Sequence, residues 1–136
     1  MELRKIKESE VAAVRKELLE KQRYVCPITG RDLRAMKPIN LVLDHCHTGG
    51  HIRAVLPRGI NGLEGAIKAA LHRYAGLSVS QVPEMASILH KLADYLMLHR
   101  VPQHPYIYHK HKTELEKRAA RNTQARKRYA LKKTSS

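Results

Sequence analysis

The sequence of 136 residues has no phenylalanine and no tryptophan, and only 12 acidic residues stand against 26 lysines and arginines. Without the two largest apolar aromatic side chains, a core must be built from Leu, Ile, Val, Ala and Tyr. The formal net charge of +14 favours a polyanionic partner, with nucleic acid preferred over an anionic membrane surface. A chain of this length has room for one compact domain with an extension.

Long apolar runs and cysteines are also scarce. No run approaches the ~20 residues that a membrane span requires. The opening residues, MELRKIKESE, are charged throughout and do not form a signal peptide. We therefore expect a cytoplasmic protein without a membrane partner. The two cysteines of such a chain argue against a disulfide framework.

Hydrophobic periodicity divides the chain into four segments. Residues 1–23 are predicted to form a helix. Residues 24–77 are predicted to hold a short strand that enters a turn over residues 24–30, further strands, and a helix that starts at Asn61 and stops at Gly76. Residues 78–101 form an amphipathic helix whose apolar face fits either a core or a homodimer contact. Residues 102–136 form a basic tail that begins with a proline-containing break.

The tail carries a strong excess of positive charge. From Lys110 to Lys133 it has ten lysines and arginines against two glutamates, and residues 113–116 match a helix capping box. The apolar stripe of this helix is too narrow for burial. Binding to DNA phosphates is therefore the favoured interpretation, and a solvated helix is the alternative. The candidate phosphate ligands are Lys110, Lys112, Lys117, Arg118, Arg121, Arg126, Lys127 and Arg128.

The most informative motif is Asp44-His45-Cys46-His47, which Asn61 follows after a glycine-containing turn and a short apolar run. Two strands and a helix in this order are expected to bring Asp44, His45 and Asn61 to one point. A carboxylate, an amide oxygen and an imidazole together suit a hard cation and a base that activates water. Taken singly, Asp44 would be read as a turn or capping residue and Asn61 as a helix N-cap, but their pairing favours a site.

The stretch from Tyr24 to Glu64 resembles the phage recombination endonuclease VII family, within the His-Asn-His (ββα-metal) nucleases. The resemblance is carried by Cys26, by the run from Asp44 to Gly49, and by Arg53, Asn61 and Glu64. It implies an α+β fold with a ββα-metal nuclease core, flanking helices and a basic C-terminal helical tail. It also implies a metal-dependent DNA endonuclease that hydrolyses phosphodiester bonds, by nicking or by resolving branched junctions.

The resemblance further implies which residues hold a metal ion. Asp44 and Asn61 match ligands of Mg²⁺ or Mn²⁺, and Glu64 would complete the metal shell directly or through water. A structural zinc ion is not expected, because only one cysteine, Cys26, remains of the four that hold zinc in the family. The other three positions are occupied by Thr29, Pro57 and Ile60. Apolar packing is expected to replace the zinc, around Val25, Ile28, Leu56 and Ile60.

The same resemblance implies that His45 is the general base, since an imidazole ordinarily titrates near neutral pH and can take a proton from water. His47 has three alternatives, which are orienting the site, touching the phosphate and ligating the ion. Arg53 either clamps a phosphate oxygen or is one of many surface arginines. One such site cuts one strand, so a monomer should nick DNA and a symmetric dimer could cut both strands.

Two other functions remain open on the residues alone. The first is a non-catalytic zinc module that binds nucleic acid. Its ligands would come from Cys26, His45, Cys46 and His47. Neighbouring residues of a strand point to opposite faces and do not converge, which counts against this module. The second is a basic architectural protein that uses only the tail and leaves the Asp-His motif unexplained.

Overall fold

The computed structural model describes residues 1–135, which form four α-helices and one two-stranded antiparallel sheet. The elements in chain order are α1 (Val11–Lys21), β1 (Leu41–His45), β2 (Ile52–Pro57), α2 (Arg58–Ala75), α3 (Val82–Leu98) and α4 (Glu114–Thr134). Short 3-10 turns, Glu8–Glu10 and Pro38–Asn40, precede α1 and β1. The predicted α+β class is confirmed, and the motif residues lie on a strand–turn–strand–helix sequence.

The chain divides into two compact units, residues 1–94 and the residues from Tyr95 onward. The first unit contains α1, the β-hairpin, α2 and most of α3. The second contains the end of α3 and all of α4. None of the described residues of α4 is buried, so this helix has no core of its own.

A small apolar core joins α1, the loop that follows it and the hairpin. Its buried members are Leu19, Cys26, Leu33, Leu41, Val55 and Leu56. Tyr24 packs at its edge, in keeping with a core that has neither Phe nor Trp. The Gln22 side chain completes the outer edge of β2, because its Oε1 accepts from Val55 N at 2.7 Å and its Nε2 donates to Val55 O at 3.0 Å. Both backbone groups of this buried residue are thereby satisfied.

Three predicted elements differ from the structure. The helix predicted over residues 1–23 is confined to Val11–Lys21. It ends there because Arg23 and Tyr24 adopt the left-handed conformation, with φ of 54° and 56°. The short strand predicted to enter a turn over residues 24–30 is a single bridge, Val25 to Asp32, and the predicted turn is present, closed by a hydrogen bond from Gly30 N to Cys26 O at 2.8 Å.

The helix predicted to start at Asn61 starts earlier. Pro57 is the N-cap residue of α2, so Asn61 is the fourth residue of the helix and not its cap. Proline is well tolerated here because it has no N–H to leave unsatisfied. The predicted stop at Gly76 is confirmed by its left-handed conformation, with φ of 67°. The predicted capping box of α4 is also confirmed, with Glu116 N donating to Thr113 Oγ1 and Thr113 N donating to Glu116 Oε2, both at 3.2 Å.

Candidate active site

The register of the hairpin changes beside Asp44. Asp44 pairs with Ala54, whereas His45 pairs with Ile52, so Arg53 is an extra residue in β2 and forms a β-bulge. In an unbroken ladder Arg53 would pair with His45 and point away from the face that Asp44 and Ala54 share. The bulge re-aims the Arg53 side chain and allows it to reach Asp44.

Arg53 holds two carboxylates at once. Its Nε donates to Asp44 Oδ2 at 2.7 Å and its Nη2 donates to Asp44 Oδ1 at 2.9 Å, which is a bidentate fork. Its Nη1 donates to Glu64 Oε1 at 3.2 Å, and Lys68 Nζ lies 3.6 Å from the same Glu64 oxygen. Hydrogen bonds to Asp44 and then to Glu64 raise the pKa of the Arg53 guanidinium further above its usual value. We call Asp44, Arg53, Glu64 and Lys68 the Arg53 cluster.

The Arg53 cluster is formally neutral, with two carboxylates and two cations. Asp44 is the one buried charged residue of the described chain and is 5% exposed, so its charge needs a partner within the protein. A cleft of about 520 Å³ opens beside the cluster. Arg53, Glu64 and Lys68 line it together with apolar residues of α2 and α3. The buried carboxylate is thus one side chain away from an open cleft.

His45 has different surroundings from Asp44. It is exposed, and its ring stacks on that of His47 with 5.0 Å between centroids and 13° between planes. Strand β1 ends at His45, so His47 belongs to the turn and still lies against its predicted neighbour. His45 also lines a second cleft, of about 270 Å³, together with Leu43 and Ile52 of the hairpin and residues 4–6 of the N-terminal segment.

Arg4 and Lys5 are therefore two basic residues that lie beside the candidate base. No motif in the sequence points to them. They precede the first helical residues, in the segment for which the sequence predicts a helix. One signal was available, because Glu10 stands three residues after Lys7 and accepts a hydrogen bond from its backbone N–H at 2.8 Å. The Glu10 side chain thereby caps the helical start near residue 8, although Lys7 is not one of the usual N-cap residues and so gives only a weak sequence signal.

The predicted site residues are only partly brought together. Arg53 connects Asp44 to Glu64, and the two histidines stack. Asn61 is half-buried one helical turn before Glu64, on the same side of α2. Within residues 1–135, the Asn61 side chain forms no hydrogen bond with another residue. The predicted roles of Asp44, His45 and Asn61 stay predictions.

The cysteines are placed separately. Cys26 is buried in the core, where its Sγ accepts from Thr29 N at 3.5 Å, so Thr29 lies against it. Cys46 lies in the hairpin turn, and hydrogen bonds from the backbone of Gly49 and Thr48 lower the pKa of its thiol. Within residues 1–135, no group of three or more His, Cys, Asp or Glu side chains is placed to hold a metal ion.

Apolar packing at the former zinc positions involves partners other than those predicted. Leu56 is buried and Ile60 packs against the core, as expected. Val25 and Ile28 are exposed, because they lie on the outer side of the Cys26 turn, and Leu19 and Leu33 fill the core instead. The absence of structural zinc stays a prediction. Elemental analysis of the folded protein should find less than one zinc ion per chain, and a tightly held stoichiometric zinc would contradict it.

In a comparison with protein families, residues 2–97 match the model of recombination endonuclease VII. The chain belongs to the recombination endonuclease VII family. The match covers the hairpin, α2 and nearly all of α3, and it leaves α4 outside. The chain is therefore a DNA endonuclease, with DNA as its substrate. A comparison with curated proteins gives no match. No helix within residues 1–135 has the length and apolar character to cross a membrane.

The chemistry of the donor atoms fits a hard divalent cation. Asp44, Asn61 and Glu64 offer oxygen ligands, which suit Mg²⁺ or Mn²⁺. The fork with Arg53 uses one lone-pair direction of each Asp44 oxygen, and a carboxylate has about four in all. Mg²⁺ typically takes one or two carboxylates and completes its shell with water and phosphate, so two carboxylates and one amide oxygen are compatible with its chemistry.

Proposed function

We propose that the protein is a metal-dependent endonuclease of the His-Asn-His type that hydrolyses phosphodiester bonds of DNA by nicking or at branched junctions. The observation that carries the proposal is the pairing at the end of β1, where a buried carboxylate, Asp44, is followed by an exposed imidazole, His45. The first residue is held in place and the second is free to meet solvent and DNA. Such a division suits a metal ligand followed by a general base.

His45 would take the proton of the attacking water as the water reaches phosphorus. Its exposure in an open cleft gives water and a DNA strand access to the ring. His47 would orient that ring through the observed stacking. Lys5 would bind the DNA backbone on the same side, since it lines the His45 cleft. Arg4 lines the same cleft, but its guanidinium is held by two hydrogen bonds to the Glu10 carboxylate, at 2.9 Å and 3.2 Å.

Asp44, Asn61 and Glu64 would hold the divalent cation, with Arg53 available to a phosphate oxygen. When bound, Mg²⁺ would neutralise charge on the phosphate and on the leaving 3′-oxygen. Hydrolysis with water as nucleophile would leave a 5′-phosphate. The chain's own residues supply the base and the positive surface, so both parts of the proposal can be tested separately.

The first test incubates a supercoiled plasmid and a four-way junction with the protein, with Mg²⁺ or with a chelator. We expect cleavage in the presence of Mg²⁺ and none in the presence of the chelator. His45→Ala should lower the cleavage rate by about 100-fold to 10,000-fold, because the general base is lost. His90→Ala is the control, an exposed histidine of α3 that lines neither cleft, and should cleave normally. Cleavage by His45→Ala at the parent's rate would show that the base is wrongly assigned.

Two further variants test the ligands. Asp44→Ala should raise the Mg²⁺ concentration needed for half-maximal cleavage more than Asn61→Ala does, because it removes a charge and not only a dipole. A protein that binds DNA but never cleaves it, with Mg²⁺ or Mn²⁺, would instead favour the architectural alternative based on the basic helix α4.

A further inference from the structure

We infer that Arg53 is an internal counter-ion that occupies the metal-binding carboxylates while DNA is absent, and that its transfer to a DNA phosphate makes metal binding and DNA binding cooperative. This inference rests on the proposed function, because it takes Asp44 and Glu64 as the carboxylates that the cation needs. It assigns to Arg53 a positioning role beyond contact with the phosphate.

The geometry of the fork is the first support. Both oxygens of Asp44 accept from Arg53, at 2.7 Å and 2.9 Å, and the same guanidinium reaches Glu64 at 3.1 Å and 3.2 Å. A buried carboxylate without a partner is costly, and Arg53 supplies that partner in the free protein. The β-bulge places it there, since a regular hairpin would direct its side chain to the other face.

The charge balance is the second support. Asp44 and Glu64 carry two negative charges, and Arg53 and Lys68 already neutralise both. A divalent cation added at these carboxylates is repelled by the guanidinium at close range in a partly desolvated site. A DNA phosphate relieves the repulsion, because its two non-bridging oxygens can accept the guanidinium fork in place of the Asp44 carboxylate.

The exposure of Arg53 is the third support. Its side chain is 29% exposed, whereas that of Asp44 is 6% exposed, and Arg53 lines the open cleft beside the cluster. Arg53 can therefore turn outward to a phosphate without unpacking the core, while Asp44 stays in place. Cooperative binding of cation and DNA follows, and thermodynamic linkage makes it reciprocal.

The test measures Mn²⁺ affinity by isothermal titration calorimetry, without DNA, for the parent and for Arg53→Gln. The variant should bind Mn²⁺ at least about fivefold more tightly, within the usual range of coupling between sites. Glutamine removes the charge and keeps an N–H donor for Asp44. Lys68→Gln is the matched control, since the Lys68 ammonium group pairs with Glu64 but not with Asp44. The Mn²⁺ affinity of this variant should change less than that of Arg53→Gln.

A second titration uses a four-way junction bound to a His45→Ala background, which keeps the DNA uncut. DNA should tighten Mn²⁺ binding when Arg53 is present and should have little effect when it is glutamine. Equal or weaker Mn²⁺ affinity of Arg53→Gln without DNA would overturn the inference, as would a DNA effect that survives the substitution. Absence of Mn²⁺ binding to both proteins would also overturn it.

A measurement on the unaltered side chain guards against a misfolded variant. The Nε–Hε resonance of Arg53 in the full chain should report the fork with Asp44 in the free protein and should shift when the junction and Mg²⁺ are both added to the His45→Ala protein. An unchanged resonance in that complex contradicts the inference. Neither readout depends on cleavage. If the parent shows the expected Mn²⁺ affinities but does not cleave DNA, only the proposed function is refuted. If the parent cleaves DNA but lacks those Mn²⁺ affinities, only the inference about Arg53 is refuted.

Discussion

Positive charge is used differently in the two units of the chain. In the first unit, Arg53 is bound by two carboxylates and lies beside a buried aspartate. In the second, the lysines and arginines of α4 lie on a helix with no buried residue among those described. In the first unit, hydrogen bonds to two carboxylates fix the position of one guanidinium. In the second, many lysine and arginine side chains are exposed along one helix. The first suits a site that acts on one phosphate, and the second suits affinity for any stretch of DNA backbone.

The two units also differ in what keeps them folded. The first depends on a shared apolar core, whereas α4 depends on its capping box and on local pairs such as Lys117 with Glu114, whose Nζ and Oε1 lie 3.0 Å apart. Helices without a packed face depend on propensity and caps, and these interactions are individually weak. A disturbance should therefore spread through the first unit and remain local in the second.

The largest expected contrast comes from the same substitution made in both units. Leu33→Ala removes a side chain that is 1% exposed and should lower the free energy of unfolding by about 2–5 kcal/mol. Leu115→Ala changes a side chain on α4 that is 79% exposed and should alter it by about 0.5 kcal/mol or less. Urea unfolding, followed by circular dichroism, measures the free energy of unfolding of both variants. Equal losses would show that α4 is packed in solution.

Removal of the tail should give the next largest effect, on DNA affinity. A chain that ends at Tyr108 should lose about 0.9 from the salt slope of binding for each phosphate contact removed. The total loss is about 4.5 if half of the tail's ten cations make contacts. The Arg53 cluster should survive, and cleavage at high protein concentration should give the same products. Fluorescence anisotropy at several salt concentrations measures the slope.

A control for this truncation keeps the helix and reduces its charge. Replacing Arg126, Lys127 and Arg128 with glutamine should lower the DNA affinity and its salt slope by a fraction of what the truncation does. If the truncated protein binds DNA with unchanged affinity and slope, the tail serves another partner.

The smallest expected effect concerns the cleft beside His45. Lys5→Ala should lower the salt slope by about 0.9 and weaken binding modestly, because one phosphate contact is lost. Lys16→Ala, an exposed lysine on α1 away from that cleft, is the comparison and should change the slope less. An equal change in both variants would mean that DNA does not follow the His45 cleft.

Several features could be predicted because they depend on neighbours in the chain. The stop of α2 at Gly76 and the start of α4 at Thr113 follow from local backbone preferences, and both were located to the residue. The start of α2 was missed by three residues. A proline N-cap gives no side-chain hydrogen bond and therefore less signal than an asparagine, which is the more common cap.

Other features depend on contacts that no local pattern records. The assignment of residues 1–23 to one helix missed that the first of them lie against the hairpin, since exposed Arg and Lys fit a helix and an extended strand equally well. The partners of the former zinc positions were also misjudged. Which apolar residues fill a core depends on the direction in which a turn faces, and the Cys26 turn leaves Val25 and Ile28 outside.

The sequence by itself determined the α+β class, the order of strand, turn, strand and helix, the family and the basic character of the tail. These follow from residue spacing, turn chemistry and composition, which are properties of the chain read in order. Only the tertiary structure decided that Arg53 binds Asp44 and Glu64 and that Arg4 and Lys5 lie beside His45. The first depends on a one-residue bulge and the second on packing between distant segments, because a hydrogen bond requires atoms within about 3 Å and spacing along the chain does not set that distance.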